Sequence, residues 1–298
     1  MIPAKKVILT SFIVDLFDVI SSLVVTFLSG SVVMLSQALE GMSDLLASGL
    51  LIIGLARSTR ASDKNHPFGH GRELYFWTLI SSLVMLSVTA TLSIYFGWKR
   101  FLNPEPLSNI NLAYLLLAIT IGTNGYALWL SIKRLSFKEP KWKIWSVFSN
   151  SPLVETKATF VLDLMGTFSS ILGLLALLGY KILGDERLDG LGAILIGAML
   201  AIFALLLIIS VKDLLVGRSV SYKVKLKIIE AAVEIAGVNR VINIKATDIG
   251  PEQILVNLDV NLKDGLKTNA IEKITRQIKK NIRYHVPEAS IIQVELKA

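Results

Sequence analysis

Two carboxylates four residues apart, Glu40 and Asp44, interrupt an otherwise apolar, small-residue stretch from Ser31 to Ala56. Residues at that interval share one helix face, and a membrane interior penalises carboxylates that meet neither a cation nor another helix. A second stretch, Ser151 to Tyr180, carries Asp163 with Thr159 and Glu155 behind it at the same interval. Two helices with inward acids are the chemistry of a cation path. Between these stretches lies a polar loop in which His66 and His70 follow Asp63. Two imidazoles and a carboxylate at that spacing reach one divalent ion, although a simple hydrogen-bonded loop would use the same residues. Asp15 and Asp18 lie about two to three turns into the first apolar run. They read either as an entry ring or as hydrated acids near the interface. Glu155 reads either as a vestibule lining or as a solvated helix-end acid.

The elements that must position these groups are membrane helices. The chain has 298 residues, of which 53% are hydrophobic and only 18% charged, and no cysteine. That composition, with a mean hydropathy of +0.60, is that of an integral membrane protein. The absence of cysteine excludes disulfides and thiolate metal sites. A span needs roughly 20 apolar residues. Six segments qualify, near 7–28, 32–57, 74–100, 110–132, 152–180 and 188–215. The N-terminal run lacks a small-residue cleavage site and reads as the start of a retained first helix.

A net charge of +8 raises the question of nucleic acid, but the cations cluster at the ends of apolar runs and in the tail, where a bilayer accounts for them. One side carries Lys5 and Lys6, the second loop with Arg57, Arg60, Lys64 and Arg72, a fourth loop with Lys133, Arg134, Lys138, Lys141 and Lys143, and the chain after the sixth helix. The other side has few cations, among them Lys99 and Arg100. The expectation is a multi-pass protein of the cell membrane with both termini cytoplasmic. Trp77, Tyr95, Trp98, Trp129, Trp142 and Trp145, all near helix ends, read as interfacial aromatics.

From about residue 218 lysine becomes frequent and the periodicity changes. Residues 222–236 and 267–284 show helical spacing, whereas 239–249, 253–262 and 290–296 read as strands. The fold class expected is a membrane all-α domain of six transmembrane helices (1–217), followed by a small cytoplasmic α+β domain (218–298). The latter is an open-faced sandwich of order αββαβ. No Walker sequence, phosphate loop or nucleophile elbow occurs, so neither ATP hydrolysis nor other enzyme activity is expected.

The string HPFGHGR follows a second helix of the form SxxxLSQALEGMSDLLASG, and the sixth helix reads DGLGAILIGAMLAIFALLLIISVKDLL. Together with six helices and an αββαβ tail, these strings resemble the cation diffusion facilitator family of divalent-metal transporters over nearly the whole chain. The resemblance implies a homodimer whose tails associate in the cytoplasm and which exports a divalent cation in exchange for protons by alternating access. It places the transport site on Glu40, Asp44, Thr159 and Asp163, and a second metal site on Asp63, His66 and His70. Zinc-moving members commonly carry Asp or His where this chain has Glu40 and Thr159. The resulting all-oxygen set favours harder ions, so the expected cargo is Mn, Fe, Co or Zn. Clustered carboxylates away from water cannot all stay charged, so metal and protons compete for the same oxygens. The resemblance also aligns Asp259, Glu272, Gln293 and Glu295 with a tail metal site, which read more simply as surface polar groups, and pairs Arg72 with Asp213. The alternative to transport is a membrane scaffold or metal sensor of the same fold with a degenerate site, a reading favoured by Thr159.

Overall fold

The computed structural model describes the backbone of residues 4–135 and 154–297, and the side chains of residues 15–133 and 158–297. The expectations for Glu155, for the fourth-loop cations beyond Lys133, for Trp142 and Trp145, and for the side chains of Lys5 and Lys6 lie outside the described residues.

Six long helices come first. They are α1 (Ala4–Ser29), α2 (Val32–Ser58), α3 (Glu73–Leu102), α4 (Ile110–Leu135), α5 (Val154–Leu183) and α6 (Arg187–Val216). Among the described residues, five helices, α2 to α6, are long and apolar enough to cross a membrane. α1, at 26 residues, has the length of a span. Gly30 makes the turn between α1 and α2: its φ of +69° suits a residue without Cβ, and its N–H closes α1 on the Thr26 carbonyl at 2.8 Å. Ser31 then caps α2 by accepting from the Met34 N–H at 3.3 Å. The third span is not a uniform helix as its sequence suggests. Met85–Ala90 winds as π-helix, and just after it the Thr91 hydroxyl donates to the Leu86 carbonyl at 3.2 Å.

Val33, Met34, Leu117, Met165, Leu177 and Ile196 form the buried interior of this bundle. Large apolar side chains such as Phe17, Phe27, Tyr126, Leu175 and Ile182 point outward. An apolar exterior of that extent is what a lipid-facing surface requires.

The tail runs α7 (Tyr222–Val233), β1 (Val238–Gly250), β2 (Gln253–Leu262), α8 (Thr268–His285) and β3 (Ala289–Leu296), in the expected αββαβ order. β2 is central, antiparallel to β1 and parallel to β3. Its alternating residues Val256, Leu258 and Val260 are buried with Ile274, Ile278 and Ile282, which line one face of α8 at four-residue intervals. The opposite face of the sheet carries Asn257 and Asp259, in register with Gln293 and Glu295.

The chain divides into two compact units, Met1–Gly54 with Phe76–Val211, and Leu55–Tyr75 with Lys212–Ala298. The second unit begins before residue 218, where the sequence suggests a boundary, and it includes the loop after α2. The reason is local: Gly71 lies against the β1 end, where an added Cβ would stand 2.5 Å from the Ile249 carbonyl oxygen.

Candidate functional site

Glu40 and Asp44 project from α2 one turn apart, and Thr159 and Asp163 occupy the same spacing on α5. α2 and α5 are tied by a hydrogen bond from the Ser170 hydroxyl to the Gln37 side-chain carbonyl at 3.0 Å. Asp44 lies seven residues after Gln37, and Asp163 seven before Ser170. Val33 of α2 stands beside Gly173 of α5 and Gln37 beside Ser170, so the two helices run in opposite senses and both acids lie about two turns from that bond on the same side of it.

Glu40 is 3% exposed, and its Oε2 accepts from Gln37 Nε2 at 3.5 Å. The Ser131 hydroxyl of α4 donates to Asp163 Oδ2. Asp15 Oδ2 on α1 accepts from the Ser48 hydroxyl of α2 at 3.3 Å. Asp18 Oδ1, Glu40 Oε1 and Asp44 Oδ1 are buried oxygens that accept no hydrogen bond. Among the described residues no Lys, Arg or His forms an ion pair with Asp15, Asp18, Glu40 or Asp44. Buried carboxylate oxygens are normally satisfied. A set left open in an apolar bundle suits a cation. The charges of Glu40, Asp15, Asp163 and Asp18 all bear on Asp44, whereas Asp18 is the carboxylate that bears on Glu40. Thr159 is half-buried.

The loop residues converge more tightly. Among the described residues, Asp63, His66 and His70 are the one group of three whose ligand atoms lie within 4.8 Å of one another. Asp63 Oδ1 accepts from the backbone N–H groups of Asn65 at 2.8 Å and His66 at 2.7 Å, so the turn is built on the carboxylate. The His66 N–H foremost, with Asn65 and the His66 ring, holds the Asp63 carboxyl below its ordinary range. His66 Nδ1 stands 3.2 Å from Asp63 Oδ1, and His70 Nε2 3.4 Å from Asp63 Oδ2. His70 Nδ1 faces the Ala61 carbonyl at 3.3 Å, the outer contact that commonly orients a ligating imidazole. These contacts also suffice for a hydrogen-bonded loop without metal.

In the tail, Asp259 is engaged elsewhere. The Lys297 ammonium lies 2.6 Å from Asp259 Oδ2 and holds that carboxyl below its ordinary range. Lys297 also reaches Glu295 at 3.8 Å. Asp213 pairs with its neighbour Lys212 at 3.4 Å rather than with Arg72.

Sequence reasoning did not single out Gln37, Ser48, Ser131 or Ser170. Gln37 had a signal, since it lies three residues before Glu40 and hence on nearly the same helix face. The serines had none beyond being polar within apolar spans.

The family model of the cation efflux transmembrane domain matches residues 8–216. The mouse (Mus musculus) proton-coupled zinc antiporter SLC30A9, a mitochondrial protein, is 24% identical over 267 residues, covering 89% of this chain and 47% of its own length. The magnetosome protein MamM of Magnetospirillum gryphiswaldense is 25% identical over 231 residues, covering 76% of this chain and 68% of its own. A solved nickel form of the MamM CTD is matched at 20% identity with a TM-score of 0.25, covering 26% of this chain and 98% of that one. The chain thus spans about half the length of the SLC30A9 proteins it matches. With a model match over most of the chain, on top of six long helices and the inward acids of α2 and α5, the chain belongs to the cation diffusion facilitator family of metal transporters.

Proposed function

We propose that this protein exports a divalent cation from the cytoplasm in exchange for protons, with Glu40, Asp44, Thr159 and Asp163 as its transport site. The observation that carries the reading is the pair of buried α2 oxygens, Glu40 Oε1 and Asp44 Oδ1, left without hydrogen-bond partners in an apolar span. A divalent ion satisfies them from one side of the membrane, and protons replace it when it leaves to the other. That exchange is what alternating access couples. The shell is all oxygen, so Mn, Fe and Co fit alongside Zn, the ion named in the SLC30A9 relatives. In this reading the chain works as a homodimer in the cell membrane, both termini cytoplasmic, with Asp63, His66 and His70 holding a further ion in the loop.

The test is uptake of Mn²⁺ and Zn²⁺ into proteoliposomes with an imposed pH gradient. The expected result is gradient-dependent accumulation, lowered at least about tenfold by Asp44→Asn or Asp163→Asn. Unchanged flux in both variants would sink the site assignment. Metal binding without flux in the unmodified protein would select the scaffold or sensor reading that Thr159 favours. Thr159→His should shift competition towards Zn²⁺ if position 159 touches the ion.

A further inference from the structure

Helix α1 brings two more carboxylates to the same place. α1 and α2 approach closely at Val19 and Gly41, where a Cβ added to Gly41 would stand 2.8 Å from Val19 Cγ2. Only a glycine admits that approach, and it sits directly after Glu40, while Val19 sits directly after Asp18. One turn back towards the start of α1, Asp15 accepts from the Ser48 hydroxyl of α2. The two α1 acids therefore flank the Glu40–Asp44 face at successive depths.

Their chemistry is that of ligands rather than of structural partners. A structural acid in an apolar bundle is held by a cation or by donors on both oxygens. Asp18 Oδ1 is buried with no donor, as is Oε1 of Glu40, a side chain 97% withdrawn from solvent by its 3% exposure. The charge of Asp18 bears on Glu40, and those of Asp15 and Asp18 both bear on Asp44. Two carboxylates that repel each other and lack donors on their inner oxygens form a place for a cation between them. α5 offers a neutral hydroxyl at Thr159, so α1 supplies anionic oxygens that the α2–α5 set alone does not.

We propose that Asp18 and Asp15 ligate the transported cation in turn as it passes the α2 acids, Asp18 beside Glu40 and Asp15 beside Asp44. α1 is then a third wall of the path, and the ion class is a hard or borderline divalent cation held by oxygen alone. The inference rests on the reading of α2 and α5 as the cation path.

Mn²⁺ binding to the detergent-purified full chain tests both, using Asp18→Asn, Asp15→Asn, Asp18→Glu and Asp44→Asn. Asp18→Asn should weaken binding about tenfold or more, and Asp18→Glu, which keeps the carboxylate, should recover most of the loss. Unmodified protein gives a second readout independent of folding. Dicyclohexylcarbodiimide, which labels carboxyls in apolar surroundings, is followed by mass spectrometry with and without Mn²⁺. The metal should protect Asp18 and Asp15 together with Glu40 and Asp44, and because each position is read separately, metal held in the loop does not interfere. Protection of Glu40 and Asp44 with equal labelling of Asp18 and Asp15 would overturn the α1 assignment and leave the α2–α5 reading standing. Absence of protection at Glu40 and Asp44, with Asp44→Asn binding Mn²⁺ as before, would overturn both.

Discussion

The donors that described residues offer to the helix acids are a hydroxyl or an amide in each case, and that decides what the acids can do. Ser131 donates to Asp163, Gln37 to Glu40 and Ser48 to Asp15. A hydroxyl or amide fixes the direction of a carboxylate without cancelling its charge, whereas an ammonium cancels it. Asp259 in the tail shows the contrast, since Lys297 occupies its Oδ2 and depresses its proton affinity. Such an acid is already neutralised and competes poorly for metal. Ser131→Ala follows as a residue-scale prediction: Asp163 loses one positioning donor, and cation binding should weaken by about tenfold, within the 10- to 100-fold range of outer-contact losses. Titration of Mn²⁺ into the purified variant checks it, with an unchanged melting profile showing that the bundle is intact. The acids themselves were legible in the sequence, because a charge in an apolar run is costly and must have a reason. Their donors were not. Ser87 and Thr120 bond carbonyls of their own helix, as most such residues do, and nothing in sequence separates them from Ser131, whose partner is on another helix.

At the scale of elements, the end of the bundle where α2 begins is held by a buried ion pair. Asp189, fully buried in the first turn of α6, accepts from the Ser31 hydroxyl at 2.6 Å and from the N–H groups of Val32 at 2.8 Å and Val33 at 3.1 Å. It thereby satisfies the open donors at the start of α2 from another helix. Arg100 of α3 lies 3.7 Å from Asp189, donates to the Gly30 carbonyl, and reaches Glu105 at 3.4 Å. Arg100 reads in the sequence as a loop cation, but in the fold it is 9% exposed and joins α1, α2, α3 and α6. Hydropathy located the long helices, five of them apolar enough to span, because that is a property of one segment. It could not locate this clasp, nor the π-helical turn of α3, because both depend on which segments meet. Asp189→Ala should cost about 3–5 kcal/mol, as it strands a buried guanidinium and leaves α2 N–H groups unmet. Glu105→Ala, at an exposed partner of the same arginine, should cost no more than about 1 kcal/mol. Thermal unfolding in detergent separates the two.

For the whole molecule, the placement of the loop is the constraint that reaches furthest. Leu55–Tyr75 forms one compact unit with Lys212–Ala298, and Gly71 abuts the end of β1, so the loop between α2 and α3 and the αββαβ tail must occupy the same side of a membrane. Counting spans gives the same answer, since four helices separate loop from tail. In the proposed orientation the cation-rich loops lie in the cytoplasm, and the turn at Gly184–Asp185–Glu186 and the segment around Glu105 lie on the other side of the membrane. The chain has no cysteine, so single cysteines can be introduced without a background. Lys64→Cys in the loop and Lys273→Cys on α8 are exposed positions, and Glu186→Cys between α5 and α6 is a partly exposed one. In intact cells a membrane-impermeant maleimide should label Glu186→Cys and spare the other two. In inverted vesicles it should label Lys64→Cys and Lys273→Cys and spare Glu186→Cys. The opposite pattern would reverse the proposed direction of transport. Labelling of loop and tail from different sides would contradict the shared unit itself.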